Sequence, residues 1–325
     1  MSEPFRIGTR SSVMALAQTD EVARALEAAW ADILPEIVRF TPQGDRDLTA
    51  RLDAHGGKGG AFVAEIRAAM LRGEIEAAMH SLKDMPGDEE TPGLVAAAYL
   101  TRGSAADALV LRPGVMLAAF EQAKGSGFRI GTDSVRRAAF LRRLYPQAEI
   151  IHYRGAADTR VRKLDEGALQ KLPVGAPVGP ADALVMAAAG LKRVGLEARI
   201  ARAFSPDEML PSAGQGIVAV ECPGDAWETR RRLAAIDDRQ ARVEALAERE
   251  TLWVLNGHCH SPIGAHATLK GERMRLKAAV LSLDGREIIE AESEGAIDRP
   301  RELGRAVALE LLAGGALALI EKSRF

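Results

Sequence analysis

The stretch FRIGTRSSVMALAQTDEVARALEAAW, residues 5–30, decides the fold because a strand signal is followed directly by a helix signal. FRIGTR is typical of a strand, and Ser11 or Ser12 can cap the helix that follows. The same alternation continues through strand EIVRFTP (36–42), helix AFVAEIRAAMLRG (61–73) and strand IEAAMH (75–80). Alternating units of this kind predict a mostly parallel sheet covered by helices, and hence an α/β fold.

A second block of alternating signals begins near DALVLRPG, residues 107–114. It contains FRIGT (128–132), SVRRAAFLRRLY (134–145), EIIHYRG (149–155), DTRVRKLDEG (158–167), strand ADALVMAAAG (181–190) and the later strand IVAVEC (217–222). From about residue 238, a long helix, two strands joined by an Asp-Gly turn and a last helix predict a small antiparallel sheet. We interpret 43–60 as a mobile surface loop or lid, and 170–180 as a loop insertion.

Composition limits what this chain can be. Its 325 residues, 47% of them hydrophobic, predict two or three domains. A net charge of -2 provides no global field for nucleic acid or an anionic membrane, and 4% aromatic residues argue against stacking on single-stranded nucleic acid. The N-terminus lacks a signal-peptide core, and the two cysteines lie far apart. We therefore expect a soluble, cytoplasmic protein without disulfides, and a monomer.

Residues 129–163 form a basic segment in which nine cationic side chains face three acidic ones. Arg136 and Arg137 open a helix directly after a strand, Arg154 ends the next strand, and Arg160 lies in the first turns of the helix after it. The carboxyl ends of parallel strands share one rim, where ligands usually bind, and guanidinium groups suit carboxylates or phosphates. These four arginines predict an anion site. We interpret the remaining Arg142, Arg143 and Arg162 as solvated helix faces.

Two segments, each containing a lysine, have functions that the local sequence does not decide. In HSLKDMP, residues 80–86, Lys83 and Asp84 are predicted in a turn at a strand's carboxyl end. They form either an exposed ion pair of little energetic value, or a site where the carboxylate stabilises a cation or moves a proton. HGGKGG, residues 55–60, lacks the Ser or Thr of a phosphate loop, so we interpret it as a flexible loop that holds Lys58 over the cleft.

Cys259 lies between His258 and His260 in LNGHCHSPIG, residues 255–264. Metal binding is disfavoured because three consecutive candidates cannot supply four ligands at workable spacing, and Cys222 has no partner nearby in sequence. A nucleophilic thiol would need a base and an oxyanion site, and neither is evident. An ordinary loop thiol and a covalent tether both remain open.

Taken in order and spacing, these motifs resemble the porphobilinogen deaminases (hydroxymethylbilane synthases) over almost the whole chain. The matching stretches are IGTRSSVMALAQ, GGKGG-AF, HSLKDMP, GTDSVRR, TRVRKLDEG, AAAGLKRVG, LPSAGQG and LNGHCHSPIG. The resemblance implies two lobes similar to periplasmic binding proteins and a small C-terminal α+β domain with an antiparallel sheet. The boundaries expected from it are 1–106 plus 215–236 for domain 1, 107–214 for domain 2 and 237–325 for domain 3.

The resemblance also implies the chemistry. Members of the family join four porphobilinogen molecules head to tail with release of ammonia, on a dipyrromethane cofactor held by a thioether to the cysteine that matches Cys259. Each pyrrole bears an acetate and a propionate, so the growing chain is a polycarboxylate that needs many cations. Asp84 matches the aspartate that stabilises the positive charge left by ammonia and helps to move protons.

Matching by motif implies further site residues and no metal. Lys58 and Phe62 match the mobile loop and the residue just after it. The residues expected to hold cofactor or substrate carboxylates are Arg10, Ser12, Ser81, Lys83, Thr132, Ser134, Arg136, Arg137, Arg154, Arg160 and Arg193.

The sequence departs from the family pattern in several places. The usual GTSSLRR is GTDSVRR here, so that Asp133 either caps a helix or weakens carboxylate binding beside an anion site. Ala156 stands where asparagine is common, one extra residue interrupts GGKG-LF, and the loop 170–180 is longer than usual. Two alternatives therefore stay open: a catalytically impaired relative, and an anion-binding protein of the same two-lobed fold. The second would not need Cys259 or Asp84, and would usually have an export signal or a helix-turn-helix segment.

Overall fold

The computed structural model describes residues 4–40, 60–87, 91–171, 176–257 and 261–324, with the backbone alone for 60–62. The strands are β1 (Phe5–Arg10), β2 (Pro35–Phe40), β3 (Ala77–Ser81), β4 (Leu94–Tyr99), β5 (Asp107–Leu111), β6 (Arg129–Gly131), β7 (Glu149–Ile151), β8 (Ala183–Ala187), β9 (Ile200–Ala203), β10 (Val218–Pro223), β11 (Ile263–Lys270), β12 (Arg273–Leu281) and β13 (Ile288–Ala296). The helices are α1 (Val13–Ala29), α2 (Gly60–Leu71), α3 (Leu117–Gln122), α4 (Val135–Leu144), α5 (Ala157–Asp165), α6 (Ala188–Arg193), α7 (Trp227–Ala234), α8 (Arg239–Val254), α9 (Pro300–Ala313) and α10 (Ala316–Lys322).

The first lobe is built on a five-stranded sheet of order β2-β1-β3-β10-β4. Strand β1 pairs in parallel with β2 and β3, whereas β10 is antiparallel to both β3 and β4. Four of the five strands therefore share one direction, which confirms the predicted mostly parallel sheet. Helix α1 covers it with buried residues spaced three or four apart, among them Val22 and Leu26, which pack in one cluster with Ile7 and Met79.

The second lobe repeats this plan with the strand order β7-β6-β8-β5-β9, in which β5 is the reversed strand. Its core includes Phe120 and Tyr145, whose rings meet edge to face with centroids 4.9 Å apart. The predicted strand ADALVMAAAG was too long, because β8 ends at Ala187 and α6 begins at Ala188. Consecutive alanines favour a helix once they leave the sheet.

The reversed strands bring the two connections between the lobes to one rim. In the first lobe Val218, where β10 begins, pairs with Ser81, where β3 ends. In the second lobe Asp107, where β5 begins, pairs with Ala187, where β8 ends. The connecting segments 100–106 and 204–217 therefore reach each sheet beside the carboxyl ends of its parallel strands, where ligands usually bind.

The C-terminal domain is an antiparallel sheet of order β11-β12-β13. Helices α8 and α9 pack closely, since a Cβ added to Gly304 would lie 2.4 Å from the carbonyl oxygen of Ala247. The predicted antiparallel sheet and its α+β class are confirmed, together with the α/β lobes. Strand β11, IGAHATLK, was not predicted, because its alanines, histidine and lysine give a weak strand signal.

A buried carboxylate on α8 ties this domain to both connections between the lobes. Glu248 has no exposed surface and accepts hydrogen bonds from Arg102 Nη1 at 2.6 Å, the backbone N–H of Gly214 at 2.6 Å and that of Ala267 at 2.8 Å. Arg102 belongs to the first connection, Gly214 to the second, and Ala267 to β11. The orientation of α8 is thereby fixed relative to both.

Helix α9 buries an apolar face against the C-terminal sheet, including Leu303, Val307 and Leu311. Among the described residues, no single helix has the length and apolar character needed to cross a bilayer. Helices α9 and α10 meet those two requirements only when taken together, as a pair bent by 81°.

Candidate functional site

In the first lobe, the site begins where β1 and β3 end. Arg10 is the last residue of β1, and Ser12 caps α1 by accepting a hydrogen bond from the N–H of Ala15 at 3.2 Å. Strand β3 ends at Ser81, whose hydroxyl donates to Gln18 Oε1 at 2.8 Å. These side chains lie at one rim because β1 and β3 are parallel.

A single 3-10 turn, Leu82–Asp84, follows β3 directly. The turn buries Leu82, leaves Lys83 half-buried and exposes Asp84. The prediction that Lys83 and Asp84 lie in a turn at a strand's carboxyl end is confirmed.

In the second lobe, Thr132 follows β6 and is buried, and its hydroxyl oxygen accepts from the N–H of Ser134 at 3.2 Å. Ser134 is the N-cap of α4 and accepts from the N–H of Arg137 at 3.4 Å. The cap of α4 is therefore Ser134, so of the two alternatives left open for Asp133, capping of this helix does not hold. Two residues do not compete for the role because the cap position belongs to the residue just before Val135.

Two of the predicted arginines are held by a carboxylate that sequence reasoning did not identify. Asp107 is fully buried and accepts from Arg136 Nη2 at 2.7 Å and Arg137 Nε at 2.9 Å. Burial alone would raise the pKa of the Asp107 carboxyl, but the two guanidinium groups hold this pKa well below its usual range. Arg136 also donates to the carbonyl of Leu210 at 2.6 Å, so both of its terminal nitrogens bind protein acceptors.

Gln215 joins this cluster to the first lobe. Its Nε2 donates to Asp107 Oδ1 at 3.0 Å and to the carbonyl of Ala105 at 2.7 Å. Its Oε1 accepts from Lys83 Nζ at 3.3 Å and from Arg137 Nη2 at 3.4 Å. Lys83 of one lobe and Arg137 of the other are thus held around one amide, as the predicted convergence of strand ends requires.

The Lys83 ammonium lies in a cationic and poorly solvated setting. Burial, with a contribution from the nearby Arg137, lowers the pKa of Lys83 to about 8, although Asp84 and Asp107 act in the opposite direction. The amine is therefore largely protonated at neutral pH and becomes neutral only in mildly alkaline solution.

Arg160 on α5 lies within electrostatic reach of Asp84, and Asp133 is its ion-pair partner. Its Nη1 is 3.7 Å from Asp133 Oδ1, and its Nε is buried without a hydrogen-bond partner among the described residues. Burial lowers the pKa of Arg160, an effect that Asp133 and Asp84 oppose and Arg137 adds to. Asp133, Asp84 and Arg137 therefore all act electrostatically on this guanidinium, with Asp84 acting from the first lobe.

Other arginines have partners that the sequence did not indicate. Arg193 at the end of α6 donates from Nε to both carboxylate oxygens of Glu21 at 3.2 Å, and from Nη2 to the carbonyl of Gly216 at 3.1 Å. It joins the second lobe to α1 of the first, and its contact with substrate stays a prediction. Arg142 and Arg143 are exposed, in agreement with their interpretation as solvated, and they also donate to carbonyls of the β12–β13 turn.

Helix α8, which precedes Cys259 in the chain, approaches the Lys83–Asp84 turn. Arg249 on α8 donates to the carbonyl of Pro86 at 2.6 Å, and Leu252 lies where a Cβ on Gly87 would meet it at 3.1 Å. Helix α8 ends at Val254, five residues before Cys259. The C-terminal half of α8 therefore lies beside residues 86 and 87, just after the turn that holds Asp84.

Some predicted residues fall outside the described ranges. These are Lys58 with the rest of 43–59, and Cys259 with His258 and His260, while only the backbone of Phe62 is described, in α2. Cys222 is buried, and burial raises the pKa of its thiol to about 11. No group of three or more His, Cys, Asp or Glu side chains in the described ranges is arranged to hold a metal ion.

Comparison with known proteins gives consistent matches. The family model described as porphobilinogen deaminase, dipyromethane cofactor binding domain, matches residues 5–231, and that of the porphobilinogen deaminase C-terminal domain matches 242–313. A porphobilinogen deaminase of Roseiflexus sp. (strain RS-1) is 41% identical over 98% of this chain and 99% of its own. One of Xanthomonas campestris pv. campestris (strain B100) is 42% identical over 97% and 98%.

Solved structures that resemble the chain are more distant. The Bordetella pertussis BvgS periplasmic VFT2 domain matches with 14% identity and a TM-score of 0.36, over 71% of this chain and 86% of its own. The two-lobed architecture of this chain rests on its own strand orders.

Proposed function

Because this chain belongs to the porphobilinogen deaminase family, we propose that its cleft joins four porphobilinogen molecules head to tail, with release of ammonia, to give hydroxymethylbilane. The chain is a transferase of tetrapyrrole (haem) biosynthesis. One observation supports this function most directly: Lys83 and Asp84 of one lobe lie beside Arg137 and Arg160 of the other. A polycarboxylate substrate and a developing positive charge need this combination of groups.

The dipyrromethane cofactor fits the residues present. Arg160 has a buried Nε without a hydrogen-bond partner in the described part of the chain, as expected where an anionic group is to be received. The acetate and propionate groups of a dipyrromethane, and of each porphobilinogen unit that is joined to it, supply such anions. When bound, the cofactor provides the terminal pyrrole carbon to which each new unit is joined. Cys259 would hold it by a thioether, and the contact of α8 with Pro86, two residues after Asp84, supports this assignment.

The cationic and hydroxyl side chains of the rim would bind and orient carboxylates. Arg154 and Arg160 lie after β7 and at the start of α5, and Lys83 of the first lobe meets Arg137 of the second at Gln215. Arg136 would act by holding Asp107, and so by orienting Arg137, because protein acceptors occupy its terminal nitrogens. The remaining members of the proposed binding set are Arg10, Ser12, Ser81, Thr132, Ser134 and Arg193, with Lys58 and Phe62 from the loop and its end.

Asp84 would supply the catalytic carboxylate. It is exposed on a turn whose backbone is fixed by the burial of Leu82, so its position is constrained while its carboxylate stays accessible. A fixed carboxylate stabilises positive charge that develops on the substrate as ammonia leaves, without reorganising at that moment. The same carboxylate can take up and return a proton at the pyrrole nitrogen.

The pH profile should report Lys83. Its pKa of about 8 means that kcat/KM for porphobilinogen falls as pH rises through about 8, because the cation that binds a substrate carboxylate is lost. We expect a loss of roughly tenfold, the size of one charged hydrogen bond. In Lys83→Arg the cation persists, so the fall in kcat/KM above about pH 8 should vanish. A fall at the same pH in that variant would show that another group titrates.

Intact mass tests the proposed function most directly. Purified protein should exceed its sequence mass by two porphobilinogen units less their ammonia, and Cys259→Ser should lose this excess together with all turnover. Cys222→Ser is the matched control, since the buried Cys222 should leave the excess in place. Bare mass in the parent protein, with no stepwise gain after addition of porphobilinogen, would favour the anion-binding protein.

Several further properties belong to the same proposal. We infer domain boundaries at 1–106 plus 215–236, 107–214 and 237–325, supported by the separate sheets and by the family matches to 5–231 and 242–313. We infer a cytoplasmic monomer whose ligand is a small molecule. The net charge of -2 and the sparse aromatic residues support the inference that it binds neither nucleic acid nor membrane.

A further inference from the structure

Asp133 stands in GTDSVRR where the family usually has serine, and its contact with Arg160 suggests a role for it. Ser134 caps α4, so the helix does not require Asp133, and its carboxylate lies instead 3.7 Å from Arg160 Nη1. We propose that Asp133 is a built-in competing carboxylate, which holds Arg160 until a substrate carboxylate displaces it. The proposal rests on the proposed function and adds a residue that sets substrate affinity.

The arginines of this site fall into two classes by the strength of their internal partners. Arg136 and Arg137 are 4% and 7% exposed and donate to the buried Asp107 at 2.7 and 2.9 Å. A buried, hydrogen-bonded pair of this kind is costly to break, so these two guanidinium groups are fixed. Arg136 therefore acts as part of the scaffold, and Arg137 keeps one fixed orientation.

Arg160 belongs to the second class. Its distance of 3.7 Å to Asp133 exceeds that of a hydrogen bond, so the pair neutralises charge without using the directional donors of the guanidinium. Its Nε has no partner within the described ranges. The Asp133 side chain is 33% exposed and can be rehydrated when it leaves. A substrate carboxylate that binds the guanidinium through two hydrogen bonds therefore has more to gain than Asp133 has to lose.

The surrounding charges make Asp133 a competitor rather than a neutral bystander. Arg137 and Asp84 act on Arg160 with opposite signs, and Asp133 and Arg154 act with opposite signs on the neighbouring His152. Asp133 thus places a negative charge at the position that an incoming carboxylate must approach. Asp133 therefore weakens substrate binding. It also reduces the net positive charge of the cleft before substrate arrives.

Kinetics of the holoenzyme provide the first test. Asp133→Asn should lower KM for porphobilinogen roughly five- to tenfold and should change kcat less than about twofold. This fall in KM corresponds to the loss of the partly exposed Asp133–Arg160 ion pair and of the repulsion between Asp133 and the substrate carboxylate. The matched control is Asp158→Asn, which removes an equal charge from an exposed position in the first turn of α5. An unchanged or higher KM in Asp133→Asn, or an equal fall in both variants, would overturn the proposal.

A second readout does not depend on turnover. Succinate, a dicarboxylate without an amine to lose, is titrated into each holoenzyme, and binding is followed as a rise in melting temperature. Asp133→Asn should bind succinate roughly five- to tenfold more tightly than the parent. In an Arg160→Gln background the same substitution should have no effect, because the two residues act through one contact; full additivity would refute the competition.

Failure of this inference differs from failure of the proposed function. A parent protein that binds succinate in the Asp133-dependent way but forms no product from porphobilinogen would refute the enzyme and leave the competing pair standing. The parent protein could instead turn over porphobilinogen normally and have the same KM and succinate affinity as Asp133→Asn. That result would refute the competition between Asp133 and substrate for Arg160, and would leave the proposed function standing.

Discussion

Replacing Asp84 with alanine is expected to lower kcat about 10³-fold, the usual contribution of a positioned carboxylate that stabilises charge and transfers a proton. The fold should not change, because Asp84 is exposed and the turn is held by the buried Leu82. The measurement is steady-state formation of hydroxymethylbilane, beside the melting temperature of each protein. The variant should keep the covalent mass excess, since its Cys259 is intact.

Asp84→Asn keeps the shape and removes the charge, so it should lose nearly as much activity as the alanine variant. Glu65→Ala serves as the control, because Glu65 is an exposed acid of the same lobe on α2. Ordinary turnover in Asp84→Asn would remove the carboxylate from the mechanism, and the turn would then have only a binding role.

Replacing Asp107 with alanine is expected to produce the largest loss of stability, about 3–5 kcal/mol in the free energy of unfolding. Asp107 has no exposed surface and compensates two guanidinium groups, which its removal would leave buried and unpaired. Gln215 Nε2 would also lose an acceptor. Urea denaturation, followed by a probe in the second lobe, measures the change because separate domains need not unfold together.

The control for Asp107 is an exposed pair of similar distance. Asp165 and Arg199 approach to 2.7 Å, but their side chains are 36% and 28% exposed, so Asp165→Asn should cost less than about 1 kcal/mol. Equal losses in the two variants would mean that burial does not strengthen the requirement for Asp107. Activity should fall in Asp107→Ala as well, since Arg137 would lose the partner that orients it.

The residues of the candidate site were only partly predictable. Arg137 and Arg160 were predicted at an anion site because each lies in a helix that follows a strand's carboxyl end, and parallel strands bring these ends together. Lys83 and Asp84 were predicted in a turn at such an end, but only the family resemblance implied their roles. Asp107 was missed although a lone acid in the apolar strand DALVL, on a chain with an arginine-rich segment, was the available signal. Gln215 gave no comparable signal, since a polar residue in a glycine-containing segment is common in loops.

The sequence by itself determined the alternation of strands and helices, the three-part architecture and the family, because hydrophobic periodicity and ordered motifs are local properties. The tertiary structure alone decided that β5 and β10 run against their neighbours and begin at the rim where the others end. It also decided which carboxylate meets which guanidinium: Asp107 with Arg136 and Arg137, and Asp133 with Arg160. Partners 27 to 30 residues apart are brought together by chain reversal and packing, which no local pattern encodes.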